Sequence, residues 1–282
     1  MMIEHFNGKA KSNRIVLPAG EFHYLSWGAE RDELPACVLL HGITSSSQSW
    51  VRVGPVLAER YRVFALDMRG HGDSIKPAPG AYSLRETAAD AEAFIQILEL
   101  QSPLLIGHSW GGATALVLAS GNGAAQPGIE FSQIILEDPA HNFGHGDPEQ
   151  RAARFTADIG VPADVLRASL IANNPGWTEE DIEGKLDAAS KVSKEAVVSV
   201  FADTEKEGDL LPLLSRLTAP TLVVRADREL GSTLNDNAWA FVQAQLTAPS
   251  MAVEIEGASH NIHRTSFTEF MRTVDAFLNA NA

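Results

Sequence analysis

An α/β fold is what this sequence predicts, a mostly parallel β-sheet flanked by helices and interrupted by a helical insertion, and three observations carry the prediction. Short, continuous runs of branched aliphatic residues recur at Cys37 to Leu40, Tyr61 to Leu66, Leu104 to Ile106, Ile134 to Leu136, Leu222 to Val224 and Met251 to Ile255. Most are too continuous for half-exposed strands and suit strands covered on both faces. Stretches of helical spacing separate the runs, as parallel pairing requires. Between Pro139 and Ala219 the strand runs vanish, and polar helical segments take their place.

Taken in order, Arg14 to Leu17 and Glu21 to Trp27 alternate more than the later runs, as a leading antiparallel hairpin would. The single cysteine, Cys37, lies inside ACVLL and reads as a buried strand thiol, so no internal disulfide is expected. Ser83 and Glu86 form a capping box, and Ala88, Ala91, Phe94, Ile95 and Leu98 after it fall on one helical face that should cover the sheet. Gly144, Gly146 and Pro148 suit the turn into the insertion, and Ala219-Pro220 the return to the sheet. The expected division is therefore a core over 1–138 and 220–282 with a helical cap over 139–219. Phe267, Phe270, Met271, Val274, Phe277 and Leu278 keep the spacing of a terminal packing helix.

The chain has 282 residues, 45% of them hydrophobic, enough for one large domain with its own core. Twenty-two Lys and Arg stand against 36 Asp and Glu, and the net charge of −14 disfavours nucleic acid and anionic membrane surfaces as partners. The first residues lack a signal-peptide core, and no apolar run approaches the roughly 18 residues that cross a bilayer. A cytoplasmic protein with a small-molecule substrate is expected.

Four segments at the ends of apolar runs carry chemistry. In PLLIGHSWGGATALVLAS, a strand enters Gly107-His108-Ser109-Trp110-Gly111 and leaves as a helix of small residues, the strand-to-helix turn of a nucleophile elbow. Such a turn exposes Ser109, and glycines at 107 and 111 remove side chains that would strike neighbouring strands. In VLLHGITSSSQSW, the loop after His41-Gly42 suits an oxyanion hole, with the backbone N–H groups of Ile43 and Trp110 as donors, while His41 is expected to hydrogen-bond its own loop. In ALDMRGHGDS, Asp67, Arg69, His71 and Asp73 suit structural roles in a tight glycine-containing turn. Late in the chain, IEGASHNIHRTSF supplies His260 as the base; His263 falls where the terminal helix should begin and is a weaker choice. No Cys or His cluster has metal-ligand spacing, and no cofactor is expected.

These motifs in this order resemble the α/β-hydrolase superfamily over nearly the whole chain apart from the cap. The resemblance implies an eight-stranded, mostly parallel sheet, a Ser-acid-His triad in chain order and hydrolysis without a cofactor. Relatives with an aspartate nucleophile, such as haloalkane dehalogenases and epoxide hydrolases, are disfavoured because position 109 is serine. The acid departs from the usual pattern. The G-x-x-D turn after strand seven reads VVRADRELGS, in which Ala226 replaces the glycine, Glu229 takes the acid position and Asp227 comes two residues early. In some relatives the acid follows strand six instead, which ends here in QIILEDPA and offers Asp138. Asp138 is preferred, with Asp227 and then Glu229 as alternatives. An esterase or lactonase working through an acyl-enzyme is the leading expectation, with Phe143, Phe155 and Trp177 of the cap lining the substrate pocket. Carbon-carbon bond hydrolysis, cofactor-free perhydrolysis and a hydrolase-like ligand receptor stand as alternatives.

Overall fold

Alternation between the two faces of one sheet organises the molecule. The computed structural model describes residues 8–121 and 128–281. Strands β1 (Lys11–Leu17) and β2 (Gly20–Trp27) form the antiparallel hairpin, and β2 continues antiparallel onto β4 (Arg62–Leu66). The other strands are β3 (Ala36–Leu40), β5 (Leu104–His108), β6 (Ile134–Glu137), β7 (Thr221–Ala226) and β8 (Met251–Ile255). They pair in parallel with one another and with β4, giving an eight-stranded sheet in the order β1-β2-β4-β3-β5-β6-β7-β8.

The continuous apolar runs reflect two cores. Val38 and Leu40 of β3 enter one cluster, with Phe94, Leu116 and Trp239 from helices on that face. Cys37 and Leu39 enter the other, with Val53, Phe270, Val274 and Phe277. A two-residue period with both faces buried leaves no polar position to interrupt the run. Burial raises the Cys37 thiol well above its usual pKa, which keeps it protonated and inert. The edge strand β8 is the exception, with Met251 exposed.

The helices on the sheet are α1 (Val53–Leu57), α2 (Leu84–Ile97) and α3 (Trp110–Ala119). The capping box that opens α2 is formed by Ser83 and Glu86, and Ala88, Ala91, Phe94 and Ile95 are buried along its inner face. Four helices, α4 (Pro148–Thr156), α5 (Ala163–Asn173), α6 (Glu179–Lys191) and α7 (Lys194–Thr204), make the insert between β6 and β7. After β7 come α8 (Asp236–Gln245), α9 (Ile262–Thr265) and α10 (Phe267–Ala280).

The insert holds two small apolar clusters of its own, one around Val197 and Phe201 and one around Leu166 and Ile182. Polar ties join it to the sheet domain: Arg52 to Asp181 at 2.7 Å, Lys191 to Asp73 at 2.7 Å, and the Tyr82 N–H to Asp203 at 2.9 Å. Among the described residues, no helix is long and apolar enough to cross a membrane.

Candidate active site

The parallel strands end together at one edge of the sheet, and the site is built from those ends. At the end of β5 the chain must reverse into α3 within one residue, and Ser109 takes φ 54° and ψ −116° to do so. A non-glycine residue in that region carries strain on the order of 1–3 kcal/mol, held by the packing on either side. Glycine is obligatory at two nearby positions. A Cβ on Gly111 would lie 2.2 Å from the Leu40 carbonyl oxygen of β3, and one on Gly107 would lie 2.3 Å from the carbonyl oxygen of Gly111. The second clash is thus with the chain's own next turn rather than with a neighbouring strand.

A hydrogen-bonded line runs from this serine. Ser109 Oγ lies 2.9 Å from His260 Nε2, and His260 Nδ1 lies 2.6 Å from Asp138 Oδ2. A carboxylate only accepts, so Nδ1 carries the proton and Nε2 is free to accept from the hydroxyl. Asp138 is fully buried. Its Oδ1 accepts from Ser232 Oγ at 2.5 Å and the Ala226 N–H at 3.3 Å, and its Oδ2 also accepts from the Thr233 N–H at 3.0 Å. Asp138 sits at φ 37°, a conformation that Asp tolerates better than most residues.

The two alternative acids are elsewhere. Asp227 accepts the N–H groups of Glu229 and Gly257, both at 2.9 Å, and those two bonds hold its carboxyl below its usual pKa. Glu229 is exposed and lies beside Arg228. The structure therefore brings Asp138 to His260 and leaves both alternatives in the turn after β7. That turn reaches the line through Ser232 and Thr233, residues the motifs did not single out.

Ile43 and Trp110 line the same cavity as Ser109 and His260. Trp110 is the first residue of α3, where N–H groups have no intrahelical acceptor and the helix dipole is positive. The loop carrying Ile43 is pinned from behind, where His71 Nε2 accepts the Thr44 N–H at 3.1 Å. Burial is the main influence that pulls His71 down to about 3, so it stays a neutral acceptor. His41 bonds its own loop through Gly42 O and takes the Met68 N–H. Asp67 accepts from His23 and from the N–H groups of Ser47 and Asp73. Burial pushes its carboxyl up, but His23 and these bonds outweigh it and bring it to about 2. Arg69 pairs with Asp90, while Asp73 departs from a purely local role by binding Lys191 of α6.

Behind the line lies a buried network that the sequence did not reveal. Glu137 accepts from the His263 N–H at 2.9 Å and from His263 Nδ1 at 2.8 Å, and His108 Nε2 donates to the His260 carbonyl at 2.9 Å. Burial lowers both histidines far below their usual range and raises Glu137. The potential ligand atoms of His108, Glu137 and His263 lie within 4.8 Å of one another, as a cation site would require. Their hydrogen bonds are instead spent fixing the loop that presents His260.

Two cavities meet at Ser109 and His260. The larger, about 770 Å³, is lined by Phe143, Phe155 and Phe201 of the insert with Ser232 and Thr233. The smaller, about 130 Å³, is lined by Thr44, Ser45, Trp177, Lys185, Asn261 and Arg264. Phe143 and Trp177 thus fall in different compartments, and Phe155 borders both.

Such a sheet, with a serine at a strained turn after its fifth strand, defines the class of protein. The family described as alpha/beta hydrolase fold matches residues 35–266, and the chain belongs to that family of enzymes acting on small molecules. It is similar to the soluble epoxide hydrolase of Corynebacterium sp. (strain C12), 33% identical over 60% of this chain and 64% of that protein, so it spans just under two thirds of that relative. It is also similar to 3-oxoadipate enol-lactonase 2 of Acinetobacter baylyi (strain ATCC 33305 / BD413 / ADP1), 23% identical over 84% of each chain. The crystal structure of E-2-(acetamidomethylene)succinate hydrolase matches the fold with a TM-score of 0.78 at 21% identity, covering 96% of this chain and 99% of that one. The protein is a hydrolase of the α/β-hydrolase family.

Proposed function

We propose that the protein is a serine hydrolase that cleaves a small carboxylic ester or lactone through an acyl-enzyme. The observation that carries this reading is the line from Ser109 through His260 to Asp138 at the meeting point of two cavities. Ser109 Oγ attacks the carbonyl carbon while His260 Nε2 takes its proton, and buried Asp138 stabilises the imidazolium that results. The backbone N–H groups of Ile43 and Trp110 receive the oxyanion, a contribution of about 2.7–4 kcal/mol for each donor in comparable sites. His260 then returns its proton to the leaving oxygen, and water, activated by the same imidazole, releases the acid.

The name of the enol-lactonase relative supports the acyl chemistry. The epoxide hydrolase name carries less weight here, because residue 109 is serine. The insert over 139–219 acts as a cap, and its Phe143, Phe155 and Trp177 shape the substrate pocket.

Turnover of short-chain p-nitrophenyl esters, with mass-spectrometric mapping of a fluorophosphonate adduct, tests the reading. Wild-type protein is expected to show both activities with the adduct on Ser109, and Ser109→Ala neither. Absence of hydrolysis and of labelling in the folded wild-type protein overturns the proposal.

A further inference from the structure

The smaller cavity differs from the larger in chemistry. The cations Arg264 and Lys185 are among its lining residues, beside Ser109 and His260. Arg264 is 2% exposed, yet among the described residues no carboxylate oxygen lies within the 4 Å of an ion pair with it. Among the described residues the one hydrogen-bonding partner of its guanidinium is Ser45, whose Oγ lies 3.4 Å from Nη2. Its planar group lies 4.6 Å from the Trp177 ring centroid, and Arg264 Nε and Trp177 Nε1 are buried donors with no acceptor among the described residues.

The acids that could neutralise Arg264 are already engaged. Asp181 accepts from Arg52 at 2.7 Å and from the Thr178 N–H at 3.0 Å, and Glu137 is taken up by His263. Lys185 Nζ is held by Thr44 O at 3.3 Å and Oγ1 at 3.2 Å, with the half-exposed Asp158 at 3.5 Å. Burial pulls Arg264 down to about 10, which still leaves it a cation at neutral pH. A buried cation without a counter-charge is costly, and a site that tolerates one gains most from binding an anion. A planar guanidinium suits a carboxylate in particular, because its N–H fork matches two oxygens.

We infer that the smaller cavity is a carboxylate subsite in which Arg264 is the anchor and Lys185 the second donor, so that the substrate carries a carboxylate a few bonds from the reacting carbonyl. The inference rests on the serine-hydrolase reading and names the class of its substrate: the half-ester of a short dicarboxylic acid, the lactone of a short hydroxy-dicarboxylic acid, or a short hydroxy acid acylated on its hydroxyl. A volume of about 130 Å³ suits a short carboxylate-bearing chain, and bulkier parts of the substrate are left to the larger cavity.

The first test compares kcat/KM for the 4-nitrophenyl half-ester of succinic acid with that for 4-nitrophenyl butyrate, and for O-acetylglycolate with ethyl acetate. One charge-assisted contact predicts a preference of about 10- to 100-fold for the acid in at least one pair. Arg264→Gln is expected to bring that ratio close to one; because the readout is a ratio, a general loss of activity cancels. Should that variant fail to fold, the wild-type protein decides through competition: succinate inhibits turnover of the neutral ester, and succinamide at the same concentration does not. Equal kcat/KM in both pairs with no inhibition by succinate overturns the subsite while leaving the serine hydrolase intact. A preference that survives Arg264→Gln but disappears in Arg154→Gln also overturns it, because Arg154 lines the larger cavity. Loss of all turnover and labelling in the wild-type protein strikes the underlying reading instead.

Discussion

Replacing Asp138 with asparagine removes one charge and almost no volume from a position with zero exposure. The amide keeps one carbonyl oxygen, and the neighbours decide which way it turns. An NH2 at the Oδ1 position meets Ser232, whose hydroxyl can rotate to accept, and the distant Ala226 N–H. At the Oδ2 position it would face two donors, Thr233 N–H and His260 Nδ1. The first orientation wins, the His260 tautomer is retained, and the loss is chiefly the charge. A carboxylate and an imidazolium about 4 Å apart between charge centres interact by about 4 kcal/mol at an effective dielectric of 20. Part survives as a neutral hydrogen bond, so kcat should fall about 10²- to 10³-fold. The assay is saturating turnover of p-nitrophenyl acetate, normalised to sites titrated with fluorophosphonate. Asp227→Asn, which loses only a turn-capping charge, should stay within about twofold of wild type. If folded Asp138→Asn keeps kcat within about tenfold of wild type, or Asp227→Asn loses more than about 100-fold, the assignment of the acid is wrong.

Gly111→Ala drives a Cβ to 2.2 Å from backbone oxygen and should cost at least about 3 kcal/mol, a fall in Tm of roughly 6–12 °C, whereas Gly128→Ala, with nothing within 4 Å, should leave Tm unchanged; calorimetry showing equal Tm for both would refute the close-approach argument. His71 is pushed down to about 3 when folded and titrates near 6.5 when unfolded, so the unfolded chain binds the extra proton first and stability drains away as pH falls from 6.5 towards 3. His71→Gln should therefore reduce the slope of unfolding free energy between pH 6 and 4 by about 1.4 kcal/mol per pH unit, and an unchanged slope in urea titrations counts against a neutral buried imidazole there. Glu137→Gln loosens the anchor of the His260 loop, and both a loss of about 1–3 kcal/mol and slower fluorophosphonate labelling of Ser109 are expected; wild-type values for both would show that the network does not position His260.

The fold was legible because burial on two sheet faces writes continuous apolar runs, and because Ser83 with Glu86 and the Gly107 to Gly111 turn are local signals. Ser109 and His260 were legible for the same reason, each lying in a short motif at a strand end. The acid was not, since Asp138, Asp227 and Glu229 are all acids at strand ends and only tertiary packing brings one of them to the imidazole. Ser232 and Thr233 were invisible because a hydrogen bond spanning more than 90 residues leaves no local pattern. Glu137 read as strand and His263 as the start of a helix, and nothing in either segment announces their pairing. Nothing in the sequence marks Arg264 out, and its lack of a carboxylate within ion-pair distance among the described residues is a property of the packed state alone.

The exposed turn from Arg228 to Gly231 sits where a catalytic acid would constrain sequence if it followed β7. On the proposed assignment of Asp138 as the acid at the end of β6, the tip of this turn carries no catalytic group; Asp227 holds it by accepting two backbone N–H groups, Arg228 pairs with Asp236, and Gly231 borders the larger cavity. An affinity tag, a reporter peptide or a tether to a surface spliced between the exposed Glu229 and Leu230 is accordingly expected to leave turnover of p-nitrophenyl esters unchanged.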